Sequence, residues 1–239
     1  MQGFRGASGP GYAFVLGAAA LSLLTPIVTR ADIVFGQVDD FQDGTTNNWT
    51  NGAGTFATED GGPLGAGDLY LEVIGNGGSG PGSHLAVHNS EQWAGSYLAA
   101  GVTAIRLDMA NFGESDLAMR FMIFSGLNLF TSTVPADVPA DGQWRSYVLG
   151  MNPADLTQVG GSDDAESALA NVQQLLIRHD TDGTSGIPGG TPVIGTLGMD
   201  NISAIPEPAA FALLALCALT AARPRRVNHP GGSSPTTGA

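Results

Sequence analysis

Two histidines, His84 and His88, stand in a His-x-x-x-His spacing. On a helix that spacing stacks two imidazoles one turn apart and can hold a metal. The flanking residues read as strand, where the rings would lie about 13 Å apart, too far to share an ion. They read as exposed strand histidines. Asp180-Thr181-Asp182-Gly183 resembles the start of a calcium loop, but position twelve is Thr191, where a bidentate glutamate is needed. It reads as an Asp/Gly turn. Gly77-Gly78-Ser79-Gly80-Pro81 lacks the spacing of a nucleophile elbow. Glycoside cleavage needs two carboxyl groups facing across a cleft. Among 22 acidic residues some pair will be close by chance, so the sequence nominates no catalytic residue.

Aromatic rings are the second chemistry on offer, because the CH faces of pyranose sugars pack on them. Trp49 and Trp144 each follow a polar turn and open a strand, a position more typical of a core. Trp93 and Tyr97 lie in a polar, glycine-containing segment and are the better candidates for exposed sugar-binding rings.

Charge narrows the partners. Nine basic residues, all arginine, stand against 22 acidic ones, for a net charge of −13. Such a field repels phosphate backbones and excludes nucleic acid. It suits divalent cations or neutral sugars, or simply an acidic extracellular surface. The one cysteine, Cys217, lies in a C-terminal apolar run, so the preceding domain has neither a disulfide framework nor a cysteine zinc site.

The elements that would position these residues are short strands between clusters of Gly, Pro, Asn and Asp. They fall at Ile33–Val38, Thr55–Thr58, Asp68–Ile74, His84–His88, Thr103–Ala110, Leu117–Phe124, Leu127–Val134, Trp144–Leu149, Val172–His179, Val193–Leu197 and Met199–Ala204. Leu69, Leu71 and Val73 alternate with Tyr70, Glu72 and Ile74, the pattern of a half-buried antiparallel strand. One short helix is expected at Asp164–Asn171, with Asp163 as N-cap and Glu166 in capping-box spacing. The 35 glycines and the low charged fraction of 13% agree with an all-β domain.

Both ends read as processing segments. Arg5, the apolar stretch Ala13–Leu24, Pro26 and Thr29-Arg30-Ala31 form a signal peptide cleaved before Asp32, so residues 1–31 are expected to leave. At the other end, Pro206-Glu207-Pro208 precedes the apolar run Ala209–Ala222 and the cluster Arg223, Arg225 and Arg226. As a helix the run would extend about 21 Å, short of a hydrocarbon core of about 30 Å. It suits transient membrane insertion, with the arginines held at the cytoplasmic side. Residues 206–226 resemble the PEP-CTERM sorting segment of exported bacterial proteins. That resemblance implies recognition, and cutting near Pro-Glu-Pro, by an exosortase-type membrane protein. Two departures are Pro224 within the basic cluster and the polar tail 227–239, expected to be disordered.

Residues 32–205 form the domain, read as a jelly-roll β-sandwich flanked by the signal helix and the hydrophobic sorting helix. Asp39-Asp40-Phe41-Gln42-Asp43-Gly44 with Trp49, the strand begun by Trp144, and Met199-Asp200-Asn201-Ile202 resemble carbohydrate-binding-module-like jelly rolls. That resemblance implies one structural calcium ion tying the first and last strands together, at Asp40 and Asp200, with Gln42 where the family often has glutamate. The reading is an exported, non-catalytic cell-surface or extracellular-matrix protein whose domain binds polysaccharide. The alternatives are a purely structural matrix component and a polysaccharide-cleaving enzyme.

Overall fold

A computed structural model describes residues 32–51, 55–78, 82–186 and 188–206. Residues 1–31, expected to be a signal peptide, and everything from Glu207 onward, including Pro208, Arg223, Arg225 and Arg226, lie outside the described residues.

The alternation of apolar and polar residues produces two packed antiparallel sheets. In chain order the elements are β1 (Val38–Asp39), β2 (Thr55–Gly62), β3 (Gly65–Asn76), β4 (Ala86–Asn89), α1 (Tyr97–Ala100), β5 (Ala104–Asn111), β6 (Leu117–Ser125), β7 (Asn128–Ser132), β8 (Ala136–Val138), β9 (Arg145–Gly150), β10 (Leu156–Gly160), α2 (Ala165–Leu169), β11 (Gln174–His179) and β12 (Ile194–Ile205). The first sheet runs β2-β3-β12-β5-β9, with β1 also on β12. The second runs β10-β7-β6-β11-β4, with β8 also on β6. This is the expected jelly-roll type of β-sandwich.

Between the sheets lie Leu71 and Val73 of β3, Ile105, Leu107 and Met109 of β5, Met119, Phe121 and Ile123 of β6, Leu175 and Ile177 of β11, and Leu197 and Met199 of β12. Each fully buried side chain of this size contributes about 1.5–3 kcal/mol. The opposite face of the second sheet carries a smaller cluster of Ala86, Met122 and Leu176. The loop from β11 to β12 is fastened across that side. Buried Arg178 pairs with buried Asp180 at 2.5 Å and donates to Ser185 O. The Arg120 guanidinium donates to Asp180 O, Ser132 O and Thr133 O, and a Cβ at Gly183 would meet that guanidinium at 2.7 Å.

Several boundaries differ from the sequence reading. Ile33–Val38 is not a strand: Phe35 and Gly36 turn, and only Val38 and Asp39 pair. The two expected final strands are one, β12, because Gly198 continues the pairing to Glu72 and Ala110. β8, β10 and α1 were not anticipated. The N-cap of α2 is Asp164, whose carboxylate accepts from Ser167 N at 2.7 Å, one residue later than expected. His84 is buried and lies just before β4, and His88 is half-buried, so neither is an exposed strand histidine. Desolvation holds the His88 imidazole below its ordinary pKa.

Candidate ligand-binding face

The register places three aromatic side chains on the outer face of the first sheet. Leu71 and Val73 face the core, so Tyr70, Glu72 and Ile74 of β3 face outward. Gly198 pairs with Glu72 on one side and Ala110 on the other, which sets Thr196, Gly198 and Asp200 outward on β12. On β5 the same alternation runs through Asp108 and Ala110 to Phe112. Trp144 sits immediately before β9, whose Arg145 is paired with Met109.

Tyr70, Phe112 and Trp144 form one cluster. The Tyr70 and Trp144 ring centroids are 5.1 Å apart, edge to face. Phe112 lies 5.9 Å from Tyr70 and 6.0 Å from Trp144. Gly198 is the floor: a Cβ there would meet Trp144 Cη2 at 2.7 Å and Phe112 Cε2 at 2.9 Å. Above, Trp144 Nε1 donates to Gly61 O at 3.1 Å, so the β2–β3 hairpin tip folds against the indole. Tyr70 is buried, Trp144 is half-buried, and Phe112 is 42% exposed. Beside Phe112 opens a groove of about 460 Å³ lined by Ile74, Gly113, Glu114, Ser115, Ile194 and Thr196. Aromatic carbon flanked by a few hydroxyl and carboxylate groups is chemistry that takes up a sugar ring.

Carboxylates border the rings. Glu59 lies opposite Tyr70 across the β2–β3 pair. Burial, then Glu72 and Glu59, push the Tyr70 phenol up. Burial, then Glu59, push the Glu72 carboxyl up.

An acidic cleft of about 430 Å³ adjoins the rings beneath the same hairpin, lined in part by Asp40, Gln42, Asp68 and Asn201. Asp200 is 1% exposed. Burial first, then the charges of Asp68, Asp108 and Asp40, raise its pKa to about 7, while the Asn201 amide opposes the rise. Its carboxylate accepts from Asn201 N at 2.7 Å and Asn201 Nδ2 at 3.0 Å. Gln42 Nε2 lies 2.9 Å from Asp40 O, 2.9 Å from Asp68 Oδ1 and 3.0 Å from Leu69 O. Three oxygens therefore converge where one amide nitrogen offers two hydrogens. Among the described residues no group of three His, Cys, Asp or Glu side chains stands at metal-holding spacing.

The expected exposed rings, Trp93 and Tyr97, are wholly buried. The Trp93 segment folds inward because Asp39 Oδ2 accepts from Trp93 Nε1 at 2.6 Å and Trp49 Nε1 at 2.7 Å. Tyr97 begins α1, and its hydroxyl donates to Trp93 O at 3.0 Å. Both are core residues, as Trp49 was expected to be. Trp144, expected in the core, instead lies on the outer face. Asp40 and Asp200 do come to one region, with Asp40 exposed and Asp200 buried. Phe112 had not been singled out. Continuing the Asp108, Ala110 alternation by two residues would have found it.

No family model matches the sequence, and no curated protein matches it. Among solved structures, the fold is similar to part of an exo-beta-agarase, with a TM-score of 0.50 at 14% identity, covering 71% of this chain and 24% of the agarase. This chain therefore matches only about a quarter of that enzyme's length. It is also similar to the family 11 carbohydrate-binding module from Clostridium thermocellum, in a complex with a β-1,3-1,4-mixed-linked tetrasaccharide. There the TM-score is 0.47 at 16% identity, covering 73% of this chain and 99% of the module. Identities this low speak for the fold alone.

Proposed function

We propose that the domain is a non-catalytic polysaccharide-binding module and that its ligand lies on the outer face of the first sheet. The observation that carries this reading is the Tyr70–Phe112–Trp144 cluster, with Phe112 exposed beside a groove lined by Glu114, Ser115 and Thr196. Phe112 offers the face on which a pyranose stacks, and the groove supplies polar partners for its hydroxyls. The test is a glycan array followed by affinity electrophoresis in the polymer it selects. Retardation that falls in Phe112→Ala and Trp144→Ala supports the reading. Release of new reducing ends from the polymer would favour the cleaving alternative, and no retention on any glycan would favour a purely structural matrix role.

The termini supply the setting. The signal segment 1–31 and the Pro206-Glu207-Pro208 sorting segment support export to the cell surface and removal of the tail by an exosortase-type membrane protein. Mass spectrometry of the exported chain should find Asp32 at its start and should not find Arg225 or Arg226.

A structural calcium ion is a further part of the proposal. Asp40 and Asp200, the pair the resemblance implies, would offer carboxylate oxygens of the kind calcium takes, with the main-chain oxygens of Asp40 and Leu69 near the Gln42 amide. The ion would offset the burial and the neighbouring carboxylate charges that raise Asp200, and calcium restoring stability to wild type at pH 8.5 would support it.

A further inference from the structure

We infer that the glycan held on this face is cationic, a polymer of amino sugars with free amines. This rests on the polysaccharide-binding reading above and names the ligand class for that same face. The rings place the site, and the charges beside them choose the ligand. Glu59 and Glu72 flank Tyr70, and Glu114 lines the adjoining groove.

Among the described residues no arginine answers these three carboxylates. Of the arginines among the described residues, Arg120 and Arg178 are buried at the second sheet and its loop. Arg145 is held by Asp141 at 2.7 Å. Arg106 stands two residues beyond Asp108 on β5, away from Glu72. Among the described residues the ion pairs are Arg145–Asp141 and Arg178–Asp180, and neither involves Glu59, Glu72 or Glu114. Glu72 is half-buried beside Glu59 and Tyr70, so its charge is poorly solvated.

A polyuronate would add negative charge to this rim and be repelled. A neutral polymer would stack on Phe112 but leave the carboxylates without a counter-charge. A protonated sugar amine supplies that charge, and it can also lie against an aromatic face. Its ring carbons stack as those of any pyranose do. One such contact, exposed and screened, is enough for a preference of about tenfold, equivalent to about 1.4 kcal/mol.

The experiment is calorimetry on the intact chain at about pH 6 and low salt, with a glucosamine tetramer, its N-acetylated counterpart, a glucose tetramer, a uronate tetramer and tetralysine. The glucosamine tetramer should bind about tenfold more tightly than either neutral tetramer, with no uptake of the uronate. The double variant Glu59→Gln/Glu72→Gln should lose that preference and keep the weaker neutral binding. Phe112→Ala should weaken binding of amino and neutral sugars alike. Neutral tetramers binding as tightly as glucosamine overturn the inference while leaving the glycan site intact. So does tetralysine binding equally well, since charge alone would then suffice. Failure of every sugar to bind overturns the polysaccharide reading beneath it as well.

Discussion

Asp200→Asn should invert the usual cost of altering a buried carboxylate. In the folded chain Asp200 has a pKa of about 7, against 3.8 for an ordinary aspartate. Between those values the folded state binds the proton that the unfolded state has lost. Stability contributed by this group is therefore full below about pH 4, falls as pH rises, and is gone above about pH 7. The gap of roughly three pKa units, at 1.36 kcal/mol each, sets an upper bound of about 4 kcal/mol, and relaxation of the cleft reduces it to about 2–4 kcal/mol. Asparagine keeps an oxygen for Asn201 N and cannot ionise. In chelator, urea denaturation at pH 5 and pH 8.5 should show the variant gaining about 1–3 kcal/mol relative to wild type between the two conditions, because about two of those three units lie above pH 5. The comparison must be relative, because His88 and His179, whose pKa values burial lowers, cost stability as pH falls, while Asp39 and Glu72, both raised by burial, cost it as pH rises. Calcium at about 100 times its dissociation constant should restore about 2.7 kcal/mol to wild type at pH 8.5, and much less to the variant. An unchanged difference between the proteins at the two pH values would refute the electrostatic account of Asp200. An indifference to calcium would remove the ion.

Asp39→Ala should cost about 3–5 kcal/mol in thermal or urea unfolding, because it leaves the indole N–H groups of both Trp49 and Trp93 buried without their acceptor. Asp180→Ala should cost a similar 3–5 kcal/mol, since it strips the counter-charge from the fully buried Arg178; a loss below about 1 kcal/mol would mean the β11–β12 loop is not held by this pair. Gly198→Ala should drive Trp144 and Phe112 off their floor, lower stability by about 1–3 kcal/mol, and red-shift tryptophan emission as the Trp144–Gly61 bond is lost.

The strands were legible because one face of each is buried and the period of two is strict, as in Leu71 and Val73 against Tyr70 and Glu72. The misplaced aromatics fail for a physical reason. Trp93 is turned inward by Asp39, a partner 54 residues away in sequence, and a local polar environment gives no sign of it. Trp144 looked like a core residue because it opens a strand. Its side is decided by the pairing of β9 with β5 and by the absence of a side chain at Gly198, neither of which sequence spacing reveals. Asp40 and Asp200 were paired by resemblance to a known jelly roll. The involvement of Asp68 and Asp108, brought in from β3 and β5 by sheet register, could not be read from the chain.

The central claim is that ligand binding lies on the outer face of the first sheet and depends on its exposed ring. Calorimetric titration of the intact chain with the polymer returned by the glycan array tests this most directly, on wild type, Phe112→Ala and Leu127→Ala. Leu127 is 89% exposed between β6 and β7 of the second sheet and serves as the control. Near-ultraviolet circular dichroism verifies the fold of each protein. The account predicts affinity about tenfold weaker in Phe112→Ala, equivalent to about 1.4 kcal/mol, and unchanged in Leu127→Ala. Equal affinity for wild type and a correctly folded Phe112→Ala would contradict it.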